Sequence, residues 1–138
     1  MGIEENKANI KRQVEDCWNK GDFASVPELI SPDFVYHTPK GDLIGQEGFK
    51  QWVTIWRTAL PDLHFAIDEI VGEEDTVAVR LSWSGTFIGR FQNHEPTGNR
   101  VAMNEGWFYH FTDGKDLGPL PFGNLLSVVQ QMGVDISN

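Results

Sequence analysis

One acidic residue stands in an apolar stretch of the second half of the chain. Glu105 lies within 101–111, where Trp107 and Tyr109 share its odd-numbered positions. Alternate residues of a strand face the same side of a sheet, so this spacing predicts a carboxylate on an apolar surface. Loss of hydration there disfavours the charged form and raises the pKa of Glu105, which suits a general base. The alternative is a bulge at Gly106, which would shift the alternation and turn Glu105 to solvent.

The histidines are the other side chains that can move a proton near neutral pH. His37 follows a short apolar segment and could donate to a ligand carbonyl or act as a base, but backbone groups at a strand end could equally satisfy it. His64 and His110 fall on the outward phase of their strands, and His94 lies in a polar loop. No two histidines have the spacing of metal ligands and Cys17 is the single cysteine, so the sequence predicts neither a metal site nor a disulfide.

Five tryptophans are many for 138 residues. Large aromatic side chains contribute most to the burial in a core, and they also line small-molecule pockets. These tryptophans come from two predicted helices and two predicted strands, so some of them should converge on one cavity, although each could simply fill the core. The side chains that we predict to line a pocket for a flat, apolar small molecule are Trp18, Trp52, Trp56, Trp83, Phe87, Trp107 and Tyr109.

Helical periodicity dominates the first sixty residues. Apolar residues at seven- and four-residue steps predict a helix over about 1–20, which Gly21 ends. A short second helix is predicted at 25–30 and a brief strand at 34–36. A third helix at 46–59 places its aromatic residues on one side. These helices supply Trp18, Trp52 and Trp56 to the predicted pocket.

The hydrophobic period changes to two after residue 62. Alternating segments at 63–67, 77–87 and 101–111 predict antiparallel strands with one apolar and one polar face. Thr112–Lys115 forms a turn, and a short helix starts at about Asn124. Helices followed by a meander of strands predict an α+β fold, a curved antiparallel sheet with three N-terminal helices packed on its concave face and a short C-terminal helix.

Composition limits the classes of partner. The formal charge is −9 and the pI about 4.7, which disfavours binding to nucleic acids or anionic membranes. The N-terminal residues are polar and no apolar run approaches a membrane span, so a reducing cytoplasm is the expected location. An apolar fraction of 40% in 138 residues suits one domain spanning 1–138.

A series of short motifs runs along nearly the whole chain in a characteristic order. They are WNKGD at 18–22, FVYHTP at 34–39, GQEGF at 45–49, PDL at 61–63, GT at 85–86 followed by Gly89 and Phe91, PTG at 96–98 and FTDGK at 111–115. The ordered series resembles the SnoaL-like polyketide cyclase family, within the superfamily of ketosteroid isomerases and nuclear transport factor 2-like proteins. The resemblance implies a cone-shaped fold, a deep cavity between helices and sheet, and a homodimer. It also implies ring closure by intramolecular aldol condensation without a metal or an organic cofactor.

The chain departs from this family where the family carries its catalytic acid. The family usually continues after the turn with two apolar residues and then Glu-His-Trp-acid, whereas 116–123 reads DLGPLPFG. Pro119 stands at the histidine position and Pro121 at the acid/base position. Two prolines and two glycines also oppose a regular central strand, because proline removes donors from the ladder. Trp107 stands where relatives commonly carry an aspartate on the preceding strand.

Three functions remain compatible with these residues. The first is a cofactor-free cyclase or isomerase acting on an apolar carbonyl compound, with Glu105 and His37 in place of the lost acid. The second is a non-catalytic protein that binds a hydrophobic or aromatic small molecule. The third is a closed-core dimer whose cavity is plugged by Leu120 and Phe122. An epoxide-hydrolase function is set aside, because Arg80 falls on the polar phase without inward acidic partners.

The polar face of the predicted sheet is the expected dimer surface. Small and mixed side chains with one exposed aromatic residue suit contact between two sheets, and the family resemblance implies the same face. Its members are Ser82, Ser84, Thr86, Ala102, Asn104, Phe108 and His110.

Overall fold

The computed structural model describes residues 2–38, 40–122 and 125–134, and for 120–122, 125 and 126 it describes the backbone alone. Its elements are helices and antiparallel strands, and they confirm the predicted α+β cone with helices packed against a curved sheet. In chain order they are α1 Ile3–Arg12, a π-helical segment Gln13–Trp18, α2 Val26–Leu29, β1 Val35–Thr38, β2 Gly41–Ile44, α3 Gly45–Ala59, β3 His64–Glu73, β4 Thr76–Thr86, β5 Arg100–Thr112, β6 Lys115–Phe122 and α4 Leu125–Met132.

The first helix widens where it meets the core. The α-helix ends at Arg12, and the π-helical segment continues it, with the Asn19 N–H donating to the Val14 carbonyl five residues back at 2.9 Å. The wider turn places several consecutive side chains against the interior, among them Cys17 and Trp18, which are both buried. The sequence predicted one helix over this region, and its apolar spacing does not distinguish an α from a π turn.

A two-stranded hairpin precedes the third helix. β1 pairs with β2 from Val35 opposite Ile44 to Thr38 opposite Gly41. The sequence predicted a single strand at 34–36 and missed β2. Three of the four residues of β2 are exposed, so no apolar alternation marks it.

The main sheet has the strand order β3-β4-β5-β6, with every pair antiparallel. β4 and β5 pair without interruption from Thr76 opposite His110 to Thr86 opposite Arg100. The alternative of a bulge at Gly106 is therefore wrong for this pair of strands, and the odd positions of β5 keep one face throughout.

The proline-containing segment forms a strand after all. β6 lies at the edge of the main sheet, where proline costs no hydrogen bond to a second neighbour in that sheet, and both Pro119 and Pro121 pair with residues of β5. Gly118 has φ +118°, and a Cβ there would lie 2.0 Å from the carbonyl oxygen of Val35. Glycine at this position thus allows β1 to approach β6. The sequence argued against a regular central strand here, and the segment forms an edge strand.

None of the described helices combines the length and the apolar character that crossing a bilayer requires.

Candidate active site

A cavity of about 240 Å³ lies between the helices and the concave face of the sheet. Eight of the nine residues predicted for the site line it, together with described residues that the sequence did not single out, notably Tyr36, Phe65 and Leu81. The eight are Glu105, His37, Trp18, Trp52, Trp56, Trp83, Trp107 and Tyr109. The side chains of Leu120 and Phe122, the candidate plug of this cavity, lie outside the described part of the chain.

The ninth predicted residue, Phe87, is not part of the lining. β4 ends at Thr86, so the alternation that assigned Phe87 to the cavity face no longer applies to it. Its N–H donates to the Asn99 carbonyl at 2.9 Å, and the next residues bind the carbonyl oxygen of Ala59 at the end of α3. The Phe87 side chain is fully buried in the core at this corner. The prediction of Phe87 as a pocket residue is wrong for this reason.

Several aromatic rings of the lining stand nearly parallel. The rings of Tyr36 and Trp52 stack at 4.0 Å with 17° between their planes, and Tyr36 and Trp107 lie at 6.2 Å and 24°. Trp107 and Tyr109 follow at 6.3 Å and 18°. These near-parallel rings stack on one another, and the apolar aromatic wall that they form suits a planar conjugated ligand.

Glu105 projects from β5 into this aromatic surrounding. The Trp107 indole Nε1–H donates to Glu105 Oε2 at 2.8 Å, and Trp83 lies diagonally across from Glu105 on β4. Burial raises the pKa of Glu105 above its ordinary value, and the Trp107 hydrogen bond and the neighbouring Trp83 side chain offset part of that rise. A half-buried carboxylate with a raised pKa is a stronger base than an exposed one and can take up and release a proton.

Two tyrosines share the cavity with this carboxylate. Burial and the nearby charge of Glu105 raise the pKa of Tyr36 to about 12. The pKa of the fully buried Tyr109 is raised well above its usual range by burial and by the charges of Asp116 and Glu105. Both phenols therefore stay protonated at neutral pH and can donate a hydrogen bond to a ligand oxygen. Tyr36 lies in the predicted strand at 34–36, but nothing in its own segment signals a role in the cavity.

His37 lies at the mouth of the cavity. Its Nδ1 is 2.8 Å from Asp42 Oδ1, across the β1–β2 pair, and 70% of its side chain is exposed. Asp42 thus fixes the ring and leaves the other nitrogen for solvent or for an entering ligand. The partner of the His37 ring is thus the Asp42 carboxylate and not the backbone groups that the sequence suggested.

A second buried carboxylate, Asp116, was not expected from the sequence. It begins the segment whose prolines and glycines oppose a regular central strand, and it is completely buried, although it is not among the lining residues. It accepts hydrogen bonds from Gln13 Nε2 at 3.1 Å and from the Gly118 N–H at 2.8 Å. Burial raises its pKa to about 7 against the effect of these donors. No local pattern signals this site, because it forms only when the first helix packs on β6.

Among the described residues, no three His, Cys, Asp or Glu side chains come together as a metal site would require. The cavity lining over the same residues contains no arginine, and Arg80 pairs with Asp68 and Glu69 on the outer face. The described part of the cavity therefore lacks the arginine between two acids that an epoxide-hydrolase site needs, and its ionisable groups are Glu105, His37 and the two tyrosines.

Residues 8–132 match the family of SnoaL-like polyketide cyclases, and the chain belongs to that family. Among proteins with curated descriptions, none is significantly similar to it in sequence. A proposed SnoaL-like polyketide cyclase from Jannaschia sp. CCS1 has a similar structure, with a TM-score of 0.85, 20% identity, and coverage of 96% of this chain and 94% of that one. AclR, a proposed hydroxylase from Streptomyces galilaeus, superposes with a TM-score of 0.77 at 27% identity over 96% of this chain and 83% of its own.

A third solved structure widens the range of chemistry on this fold. An epoxide hydrolase of Mycobacterium tuberculosis has a TM-score of 0.71 at 11% identity, covering 94% of this chain and 90% of its own. Cyclase, hydroxylase and hydrolase names thus occur on one architecture. The fold alone therefore does not determine the activity, which depends on the residues of the cavity.

Proposed function

We propose that the protein is a cofactor-free cyclase or isomerase that removes a proton next to a carbonyl group, with Glu105 as the general base. The observation that carries this proposal is the position of Glu105, a carboxylate of raised pKa in an aromatic cavity. A base of this kind matches proton abstraction from carbon, because its basicity is higher than that of an exposed carboxylate.

In the proposed reaction the Glu105 carboxylate takes the proton from the carbon beside the carbonyl group. The electron pair of that C–H bond moves to the carbonyl oxygen, which becomes an enolate. The hydroxyl groups of Tyr36 and Tyr109 are the candidate donors to this oxygen, since burial keeps both protonated. In an isomerisation Glu105 returns the proton to another carbon. In an aldol closure the enolate carbon first attacks a second carbonyl carbon of the same substrate, and the electron pair of that C=O bond moves to its oxygen, which takes the proton from Glu105. His37 is proposed to guide or protonate the substrate at the cavity mouth.

The cavity favours a small planar substrate. Its volume of about 240 Å³ lies just below the roughly 300–1,000 Å³ typical of ligand pockets. The stacked rings of Tyr36 and Trp52 favour a conjugated system. We therefore propose a neutral aromatic or conjugated ketone of one or two rings as the substrate class.

Exchange of hydrogen for deuterium tests this proposal without knowledge of the natural substrate. 2-Tetralone is a flat two-ring ketone with an acidic C–H, and NMR in D₂O reports the loss of that proton. The protein should accelerate exchange, and Glu105→Gln should abolish the acceleration while keeping its fold. Glu47→Gln is the matched control, because Glu47 lies on the surface of α3 beside Lys50. Equal exchange rates for Glu105→Gln and the unaltered protein would rule out Glu105 as the base.

A non-catalytic binding protein is the second candidate function. It is favoured by Pro121 at the position of the family acid and by the exposure of His37, which leave fewer groups for proton transfer. This candidate predicts thermal stabilisation by flat aromatic ligands without any exchange. Stabilisation of both the unaltered protein and Glu105→Gln, with no exchange in either, would favour it over the enzyme.

A further inference from the structure

We infer that Trp83 and Trp107 are positioning residues, which hold the Glu105 carboxylate in a fixed orientation through their indole N–H groups. This inference rests on the proposed role of Glu105, because positioning matters only if the carboxylate reacts. Its physical basis is the register of the main sheet.

The two indoles reach Glu105 from neighbouring strands. Trp107 lies two residues further along β5 and therefore on the same face. In the β4–β5 register Leu81 is opposite Glu105, so Trp83 is its diagonal neighbour, within reach of a long aromatic side chain. Trp107 Nε1 donates at 2.8 Å, and we propose Trp83 as the second donor because it lies diagonally across from Glu105 and its side chain lowers the pKa of the carboxyl group.

Packing limits the movement of both donors. The Trp107 ring lies 5.5 Å from Trp52 and 6.3 Å from Tyr109, and it is 7% exposed. The Trp83 ring lies 5.7 Å from Phe65 in a stacked arrangement and is equally buried. Because neither indole can turn away without disturbing its neighbours, the donors are in place before a ligand enters.

These donors offset the free-energy cost of burying the charged Glu105 carboxylate. A carboxylate that enters an apolar cavity loses hydration, and without hydrogen bonds its protonated form would be favoured still more. The two indoles supply hydrogen bonds to the charged form without adding a positive charge, which a lysine or an arginine would do. The donors thus favour the charged form, while burial keeps Glu105 more basic than an exposed carboxylate.

The pH titration of the five indole N–H resonances tests this inference without a substrate. The NMR signals of Trp83 and Trp107 should move with the midpoint at which the Glu105 carboxyl resonance titrates, and they should stop doing so in Glu105→Gln. The signal of Trp18, which lines the cavity elsewhere, should not follow that midpoint. Asp116 has a pKa of about 7, so Asp116→Asn identifies its contribution, and His37→Gln does the same for the side chain at the cavity mouth. Tyr36 has a pKa of about 12 and lies outside the titration range.

Conservative variants provide the second measurement. Trp107→Phe and Trp83→Phe keep an aromatic ring and remove the N–H, and each should raise the pKa of Glu105 by about 1. Trp18→Phe is the control and should leave that pKa unchanged. If one variant fails to fold, the other variant and the titration of the unaltered protein still decide. An unchanged Glu105 midpoint in the folded variants, or a response from a single indole, would overturn the inference.

The same data separate this inference from the proposed function. If the two indoles follow Glu105 but Glu105→Gln retains exchange activity, then the proposed function fails and the positioning stands. If Glu105→Gln loses exchange while neither indole responds, then the proposed base stands and the positioning role is removed.

Discussion

Gln13 Nε2 lies 3.1 Å from Asp116 Oδ2, although 103 residues separate them in the chain, and both side chains are buried. Asn9 extends this contact, because its Oδ1 accepts from Gln13 Nε2 at 2.8 Å and its Nδ2 donates to the Leu29 and Gly114 carbonyls. The first helix is thereby joined to α2 and to the β5–β6 hairpin by a polar network. The carboxyl group in that network has a pKa of about 7 instead of 3.8.

We therefore expect Asp116 to make stability depend on pH. Because its pKa is raised in the folded protein, its contribution to the free energy of unfolding is fully present below pH 3.8 and is lost as the pH rises towards 7. Asp116→Asn cannot ionise, so its stability relative to the unaltered protein should increase between pH 4 and pH 7, by at most roughly 4 kcal/mol. Denaturant unfolding at several pH values measures this difference. A constant difference across that range would contradict the burial of an ionisable Asp116.

Glu105→Gln should separate stability from activity. The substitution removes the cost of a half-buried carboxylate, while the amide oxygen can still accept from Trp107. We expect the thermal midpoint at neutral pH to stay the same or rise, by the equivalent of about 1 kcal/mol, while exchange activity is lost. Calorimetry measures the midpoint. A marked fall in the midpoint would mean that Glu105 serves the structure rather than a reaction.

The approach of β1 to β6 gives a prediction about glycine. Gly118→Ala should destabilise the protein strongly, because its Cβ would lie 2.0 Å from the Val35 carbonyl oxygen and φ is +118°. Gly41 has almost the same angle, +123°, and a Cβ on it would meet nothing within 4 Å, so Gly41→Ala isolates the backbone strain. The first variant should lose about 3 kcal/mol more than the second in denaturant unfolding. Equal losses would show that β1 can move aside.

The outer face of the sheet is the proposed dimer surface. Phe108 is 42% exposed there, opposite Ala78 of β4, and the Ser82 hydroxyl donates to Asn104 Oδ1 at 2.7 Å on the same face. If two copies pack through this face, then Phe108→Asp should introduce a charge into the contact and weaken it. Light scattering coupled to gel filtration should give a dimer mass for the unaltered protein and a monomer mass for the variant. A monomer mass for both proteins would rule out a dimer through this face.

Alternation along the strands could be predicted because it depends on local geometry alone. Glu105, Trp107 and Tyr109 lie on one face for that reason, and the uninterrupted β4–β5 register preserves it. Phe87 was assigned wrongly because the strand ends one residue before it, and strand ends are set by packing against α3.

Other features depend on which elements become neighbours. Whether Pro119 and Pro121 are tolerated depends on the position of β6 in the sheet, which is a tertiary property that their own segment does not encode. The burial of Asp116 similarly depends on Gln13, from the other end of the chain. Tyr36 gained its proposed role only when its ring was found stacked on Trp52 beside Glu105.

Tyr36→Phe tests whether the cavity stabilises negative charge on a substrate oxygen. The phenylalanine ring can keep the stacking with Trp52 at 4.0 Å, so the loss is confined to the hydroxyl group. If that hydroxyl donates to the enolate oxygen, then the exchange rate constant for 2-tetralone should fall by about 10²–10³, with little change in ligand affinity. The pKa of Glu105 should stay raised, because burial is its main cause. Trp56→Phe, which changes the lining away from this stack, is the comparison for a general effect of altering the cavity. A similar fall in both variants, or a weaker affinity that accounts for the whole loss in Tyr36→Phe, would mean that Tyr36 shapes the cavity without assisting the reaction.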